Sequence, residues 1–348
     1  MILPKIWYLA TIFPPNKDHI KEIEHLIFNY MWFGKKDQIK RDTMYLPISQ
    51  GGTGLVNIKC KYLSLFLGQI IKVFNNVKTP WVNFGHMYLG LTLRRYQGYT
   101  FDNCSHPHRL IARPGFYTEV KKALVALQKA DKDFKITPNS TSKFFYQKLL
   151  ALKTEKPRCL DKFPQINFQI IFSALDKSLL DPTSINISFQ LVHGIVPVAD
   201  RLHSYYGMDI NPFCLNCTRL RETTHHLFLD CPLNQAAKQW LTDVCYTALD
   251  HNITYIDILL GPQHTQNPFN RQIMLFIAEY RYAVWLARNR WRYERKPQGQ
   301  RDTLFIFKNR IQLRLQTDYI RLKQMIFERH WMESNLAERT DTGVRLLF

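Results

Sequence analysis

With 348 residues, 46% of them hydrophobic and 14% aromatic, the chain has ample material for a packed core and room for two or three modules. Forty-seven Lys and Arg against twenty-eight Asp and Glu give a formal charge of +19, which opposes compaction unless a polyanion or solvent absorbs the repulsion. Nucleic acid is the simplest such partner, ahead of an anionic membrane surface or plain solubility. A bilayer-spanning helix is excluded, because no stretch reaches the roughly 18 to 20 uninterrupted apolar residues that it needs, and mean hydropathy is −0.26.

The opening MILPKIWYLATIFPP has an apolar centre, but Pro4 and Lys5 interrupt it and no small-x-small cleavage site follows. A soluble protein of the nucleus or cytoplasm, not a secreted one, is expected. Residues 16–32 place Ile20, Ile23, Leu26, Ile27, Tyr30 and Met31 on one helical face, after Asn16 or Asp18 as cap. GKKDQIKR (34–41) is a basic turn, YLPI (45–48) reads as a short strand, and SQGGTGL (49–55) is rich in glycine. Gly51, Gly52 and Gly54 lack the Lys-Ser/Thr that completes a phosphate-binding loop, so a tight turn is the better reading. Helical periodicity returns over 57–75 and again around 116–130, 141–153, 164–180 and 184–206, with proline and polar clusters as joints.

After Asn270 the pattern is one long basic helical region, broken near KPQGQ (296–300). Between Arg281 and Lys323, twelve Lys or Arg face only three acids, an excess of nine. Trp285, Trp291, Tyr293, Phe305 and Phe307 interleave with Arg288, Arg290, Arg292, Arg295 and Arg310. That mixture can grip phosphates and stack on bases; the plainer reading is an amphipathic helix with an aromatic core face and a solvated arginine face.

Seven cysteines, an odd number with a single CxxC pair, fit thiols and a metal better than a disulfide framework. The sharpest constellation is NPFCLNCTRLRETTHHLFLDCPLNQAAKQW (211–240). Cys214 and Cys217 can chelate from one turn, and a histidine with Cys231 can return from a helical segment to close a tetrahedron around Zn2+. Four protein ligands leave no place for an activated water, so such a site is structural. Phe213, Leu227, Phe228 and Trp240 are the apolar residues expected to pack around it. Spacing alone does not choose between His225 and His226, which differ by about 100° around an α-helix. The plainer alternative is free buried thiols beside a surface histidine, and a redox CxxC lacks its βαβ surroundings. Cys60, Cys104, Cys159 and Cys245 read as ordinary buried residues, and SHPH (105–108) is the one other histidine cluster.

At these residues the chain resembles the C-terminal part of LINE-type, non-LTR retrotransposon reverse transcriptases. The segment 187–240 is similar to their zinc-binding module, with Glu222, Thr223, His226, Leu227, Phe228, Cys231 and Pro232 on its pattern, which implies His226 as the ligand and His225 as the spacer. ILPKIWYLATIFPP, NYMWFGKKDQIKR and LPISQGGTGLVNIKCKYLSL resemble the stretch that follows the polymerase palm, and TSKFFYQKLL (141–150) fits the linker between the two matches. The paired carboxylates that hold two metal ions in such polymerases are missing, since the chain has no Asp-Asp. The resemblance therefore implies no enzyme, but a nucleic-acid-holding remnant.

The expected architecture is mainly α: a thumb-like segment over 1–76, a helical linker over 77–140, a zinc-binding module over 141–260 and basic C-terminal helices over 261–348. The zinc ligands are expected to be Cys214, Cys217, His226 and Cys231. Lys35, Lys36, Lys40, Arg41, Arg288, Arg290, Arg292, Arg295, Lys296 and Arg310 are the expected contacts to RNA or DNA phosphates. A palm-bearing reverse-transcriptase chain is a further partner, and no membrane is expected. The rivals are a complete polymerase or nuclease, a translated transposon fragment without function, and a host-adapted interaction protein.

Overall fold

In the computed structural model, which describes residues 7, 13, 15–74, 80–98, 114–175, 178–218, 220–263, 267–297, 299, 301–341 and 343–348, the chain is mainly α-helical. Most of ILPKIWYLATIFPP, and the SHPH cluster with Cys104, lie outside the described residues. Two compact units are present, Met1–Pro47 with Gly52–Glu155, and Ile48–Gly51 with Lys156–Phe348. No helix among the described residues is long and apolar enough to cross a membrane.

The first unit holds α1 (Lys17–Met31), α2 (Arg41–Met44), α3 (Ile58–Phe74), α4 (Pro80–Gln97), α5 (Gly115–Ala130) and α6 (Ser142–Ala151). Helix α1 starts at Asn16, whose extended backbone and side-chain oxygen, accepting the Asp18 N–H at 3.1 Å, make it the cap. The core forms where the helical apolar stripes meet, with Phe66, Leu67 and Ile70 of α3 among Leu89, Leu93, Val120, Leu124 and Phe145.

YLPI is not a strand. Thr53 and Leu55 N–H both donate to the Met44 carbonyl at 3.2 Å, and Gly52 and Gly54 N–H donate to Pro47 and Leu46 carbonyls at 3.1 and 2.8 Å. The glycine-rich loop thus folds back on Met44–Pro47 and takes the carbonyls that a neighbouring strand would need, while Pro47 has no N–H to offer one. The tight turn read from the sequence is present. A Cβ on Gly52 would lie 1.9 Å from the Leu46 carbonyl oxygen, whereas one on Gly54, at φ +70°, meets nothing within 4 Å. Gly54→Ala is expected to cost about 1–2 kcal/mol of backbone preference, and Gly52→Ala clearly more, because backbone must move. Urea denaturation of the two variants checks the order.

The second unit holds α7 (Arg158–Lys162), α8 (Phe168–Ala174), α9 (Pro182–His193), α10 (Ala199–Tyr206), α11 (Gln235–Leu249), α12 (Tyr255–Leu259), α13 (Asn270–Glu294), α14 (Asp302–Arg321) and α15 (Gln324–Phe327). The helical stretch expected over 184–206 is two helices, because Gly194 turns left-handed at φ +65° to close α9 and Pro197 lies in the connection. Long α13 is the spine. Ile273, Phe276, Ile277, Tyr280, Val284 and Ala287 are all buried, and Phe276, Tyr280, Trp240 and Phe307 form a cluster of ring contacts. The basic region does break where expected, α13 ending at Arg295 with φ +54°. It is not helical to its end: β1 (Ala337–Thr340) and β2 (Gly343–Leu346) pair antiparallel, Ala337 opposite Leu346. Buried Ala337 and Val344 seat this hairpin, and Gly343, at φ +144°, supplies its turn.

Candidate metal centre

The CxxC pair sits in a knuckle that the backbone closes on itself. Phe213 and Arg221 form an isolated antiparallel bridge. Between them Cys214 N–H donates to the Leu220 carbonyl at 2.8 Å and Thr218 N–H to the Cys214 carbonyl at 2.9 Å. Thr218 takes the left-handed turn, φ +54°.

The other half begins at Thr223, whose hydroxyl accepts the His226 N–H at 3.0 Å and caps the following turn. From His226 to Asp230 the chain is a π-helix, closed by Cys231 N–H donating to the His226 carbonyl at 2.7 Å. On an α-helix a residue five positions on lies about 140° round the axis; the i→i+5 bond of a π-turn brings it back toward the first. Carbonyls displaced by this wider turn find side chains. Leu227 O accepts from Asn234 Nδ2 at 2.9 Å, Phe228 O from Tyr280 Oη at 2.7 Å, and Leu229 O from Gln235 Nε2 at 2.9 Å and Lys238 Nζ at 2.8 Å.

The Sγ atoms of Cys214 and Cys217 and a ring nitrogen of His226 all lie within 4.8 Å of one another and can hold a metal ion. His226 Nε2 is 3.3 Å from Cys217 Sγ, and Cys231 Sγ adjoins the cluster 4.0 Å from Cys214 Sγ. A zinc ion with sulfur at 2.3 Å in a tetrahedron separates its sulfurs by about 3.8 Å, so these spacings and this soft donor set fit zinc. Cys214, His226 and Cys231 are buried. Donation from the Cys214 thiol, and then from the Asn216 amide 3.5 Å away, draws the Cys231 thiol down to about 7, and the same contact raises Cys214 above the ordinary thiol range. His225 stands apart: it is exposed and its Nδ1 meets Asp230 Oδ2 at 2.8 Å. Leu227 and Phe228 pack in the core as expected, whereas Phe213 is 41% exposed and Trp240 packs on Phe276 and Phe307. Cys60, Cys159 and Cys245 are buried singly, and burial pushes the Cys60 and Cys159 thiols up to about 11.

Glu222, five residues after Cys217, is the residue whose role the sequence did not reveal. Its carboxylate is 1% exposed; Oε1 accepts from Ala199 N–H at 2.8 Å and from Arg288 Nη2 and Nε at 2.6 and 3.0 Å, and Oε2 lies 3.4 Å from Arg292 Nη2. This hub ties the end of the knuckle to the start of α10 and to α13. Arg288, expected at a phosphate, is instead 4% exposed and faces the interior, where its charge neutralises Glu222. Arg292 shares that carboxylate, and Arg310 is drawn to Glu279 and Asp181. Arg290, Arg295 and Lys296 are exposed at the end of α13, with Lys296 3.1 Å from Glu294. In the first unit Lys35 and Lys36 are exposed in the turn after α1, while Lys40 pairs with Glu155 and Arg41 with Asp37. The aromatics divide likewise, Phe307 fully buried and Tyr293 and Phe305 about two-thirds exposed at 68% and 67%.

Comparison with curated proteins finds no match for the chain. Residues 169–240, which include Cys214, Cys217 and His226, match the protein-family model described as zinc-binding in reverse transcriptase, and mark this stretch as a reverse-transcriptase-related region.

Proposed function

We propose that the chain is the nucleic-acid-holding part of a LINE-type, non-LTR reverse transcriptase, built around a structural zinc ion held by Cys214, Cys217, His226 and Cys231. The observation that carries this reading is the Cys214–Cys217–His226 cluster inside the reverse-transcriptase-related stretch of a chain with a formal charge of +19. With four protein donors the ion has no open position, so its role is to pin the knuckle to the π-turn. Polymerisation needs paired carboxylates that hold two metal ions, and no Asp-Asp pair is present in this sequence, so the part played by these residues, in the nucleus or cytoplasm, is to hold nucleic acid.

Phosphate contacts then come from Lys35, Lys36, Lys40, Arg41, Arg290, Arg295 and Lys296, all exposed, while Arg288, Arg292 and Arg310 serve internal carboxylates. Such contacts carry little sequence information. Binding to duplex DNA is expected to weaken by about 0.9 log units per log unit of salt for each phosphate neutralised. Titration of the chain onto labelled duplex across a salt series tests this; affinity that ignores salt would reject the reading.

A further inference from the structure

The end of α1 carries an aromatic residue where the backbone asks for glycine. Trp32 N–H donates to the Phe28 carbonyl at 3.0 Å and closes the helix; the next two residues, Phe33 at φ +51° and Gly34 at φ +73°, are both left-handed. Glycine takes that conformation freely, but a residue with a Cβ does so against its preference. Such strain persists only where the surroundings over-determine it, and it gathers at functional sites. Phe33 gains no burial in exchange, being 88% exposed, and Tyr30 one turn earlier is 83% exposed. Neither the fold of the turn nor the core uses these rings. Lys35 and Lys36 follow immediately and are exposed as well.

We propose that Phe33, with Tyr30, is a stacking platform for unpaired bases of a single-stranded nucleic acid, whose phosphates Lys35 and Lys36 hold. Flat rings beside cations suit a strand that offers both base faces and backbone charge; a duplex hides its base faces and leaves the rings without work. The inference rests on the nucleic-acid reading above and assigns it a place and a strandedness.

The test compares the full chain with Phe33→Gly and Phe33→Trp, using fluorescence anisotropy with a labelled oligo(U) or oligo(dT) and a duplex of equal length. Phe33→Gly restores the residue that the turn prefers, so its thermal midpoint is expected to hold or rise, which separates lost binding from lost folding. Its affinity for the single strand is expected to fall roughly 5- to 100-fold, the range for one lost stacking partner, with little change for duplex and with Phe33→Trp retaining wild-type binding. Unchanged single-strand affinity in Phe33→Gly, beside a wild-type chain that binds, would overturn this inference alone. A wild-type chain that binds neither strand nor duplex would overturn the broader reading with it.

Discussion

Stripping the metal with a chelator is expected to open the chain between Asn211 and Arg221 to protease, and Cys214→Ser is expected to do so without chelator. Little apolar burial holds the loop itself, and its polar ties lie at its far end, where Arg221 meets Asp200 and Ser204 and Glu222 meets Ala199 and Arg288. Phe213 and Leu220 are 41% and 55% exposed, and one isolated bridge, Phe213 to Arg221, joins its ends. Apparent binding energies of structural zinc sites are about 10–16 kcal/mol at neutral pH, comparable with the roughly 5–15 kcal/mol that stabilises a whole domain. The π-turn side should survive longer, since Leu227 and Phe228 are fully buried and Tyr280 holds the Phe228 carbonyl. Limited proteolysis with mass mapping of the cut sites checks this; identical patterns with and without chelator would contradict it.

Glu222→Gln is expected to be the most damaging single change outside the metal ligands. Removing the carboxylate charge leaves Arg288, 3% exposed at its side chain, buried without its counter-charge, and takes the same charge from Arg292. Breaking one partner of a buried pair typically costs about 3–5 kcal/mol, whereas replacing both partners by apolar groups of similar size is often neutral or better. Glu222→Met combined with Arg288→Met should therefore recover part of the loss, limited by the Ala199 N–H that Glu222 also accepts. Urea denaturation of the single and double variants measures both. A loss in Glu222→Gln below about 1 kcal/mol, the size of a surface pair, would show that the hub does not hold the unit together.

The Cys214–Cys217–His226 cluster was legible because its chemistry is written in residue types: two cysteines one turn apart, then a histidine. The π-turn that unites His226 and Cys231 was not, because it is held by Asn234, Gln235, Lys238 and Tyr280, whose convergence on three carbonyls no local periodicity encodes. The basic helix divides its arginines in a way that composition does not show. Its arginines were grouped by composition, yet Arg288 and Arg292 stand four apart on the face that meets Glu222, and Arg290 points elsewhere. Helical spacing with the buried Ala287 and Val284 already contained that distinction. YLPI misled through its β-propensity, which the returning glycine loop overrides, and strands of four residues, as in the C-terminal hairpin, are too short to announce themselves by alternation.

Zinc content of the purified chain, measured by elemental analysis for the wild type, His226→Ala and His225→Ala, tests the central claim most directly. Stoichiometric zinc in the wild type, kept by His225→Ala and lost by His226→Ala, is the predicted result. Zinc absent from the wild type, or retained when His226 is removed, would contradict it.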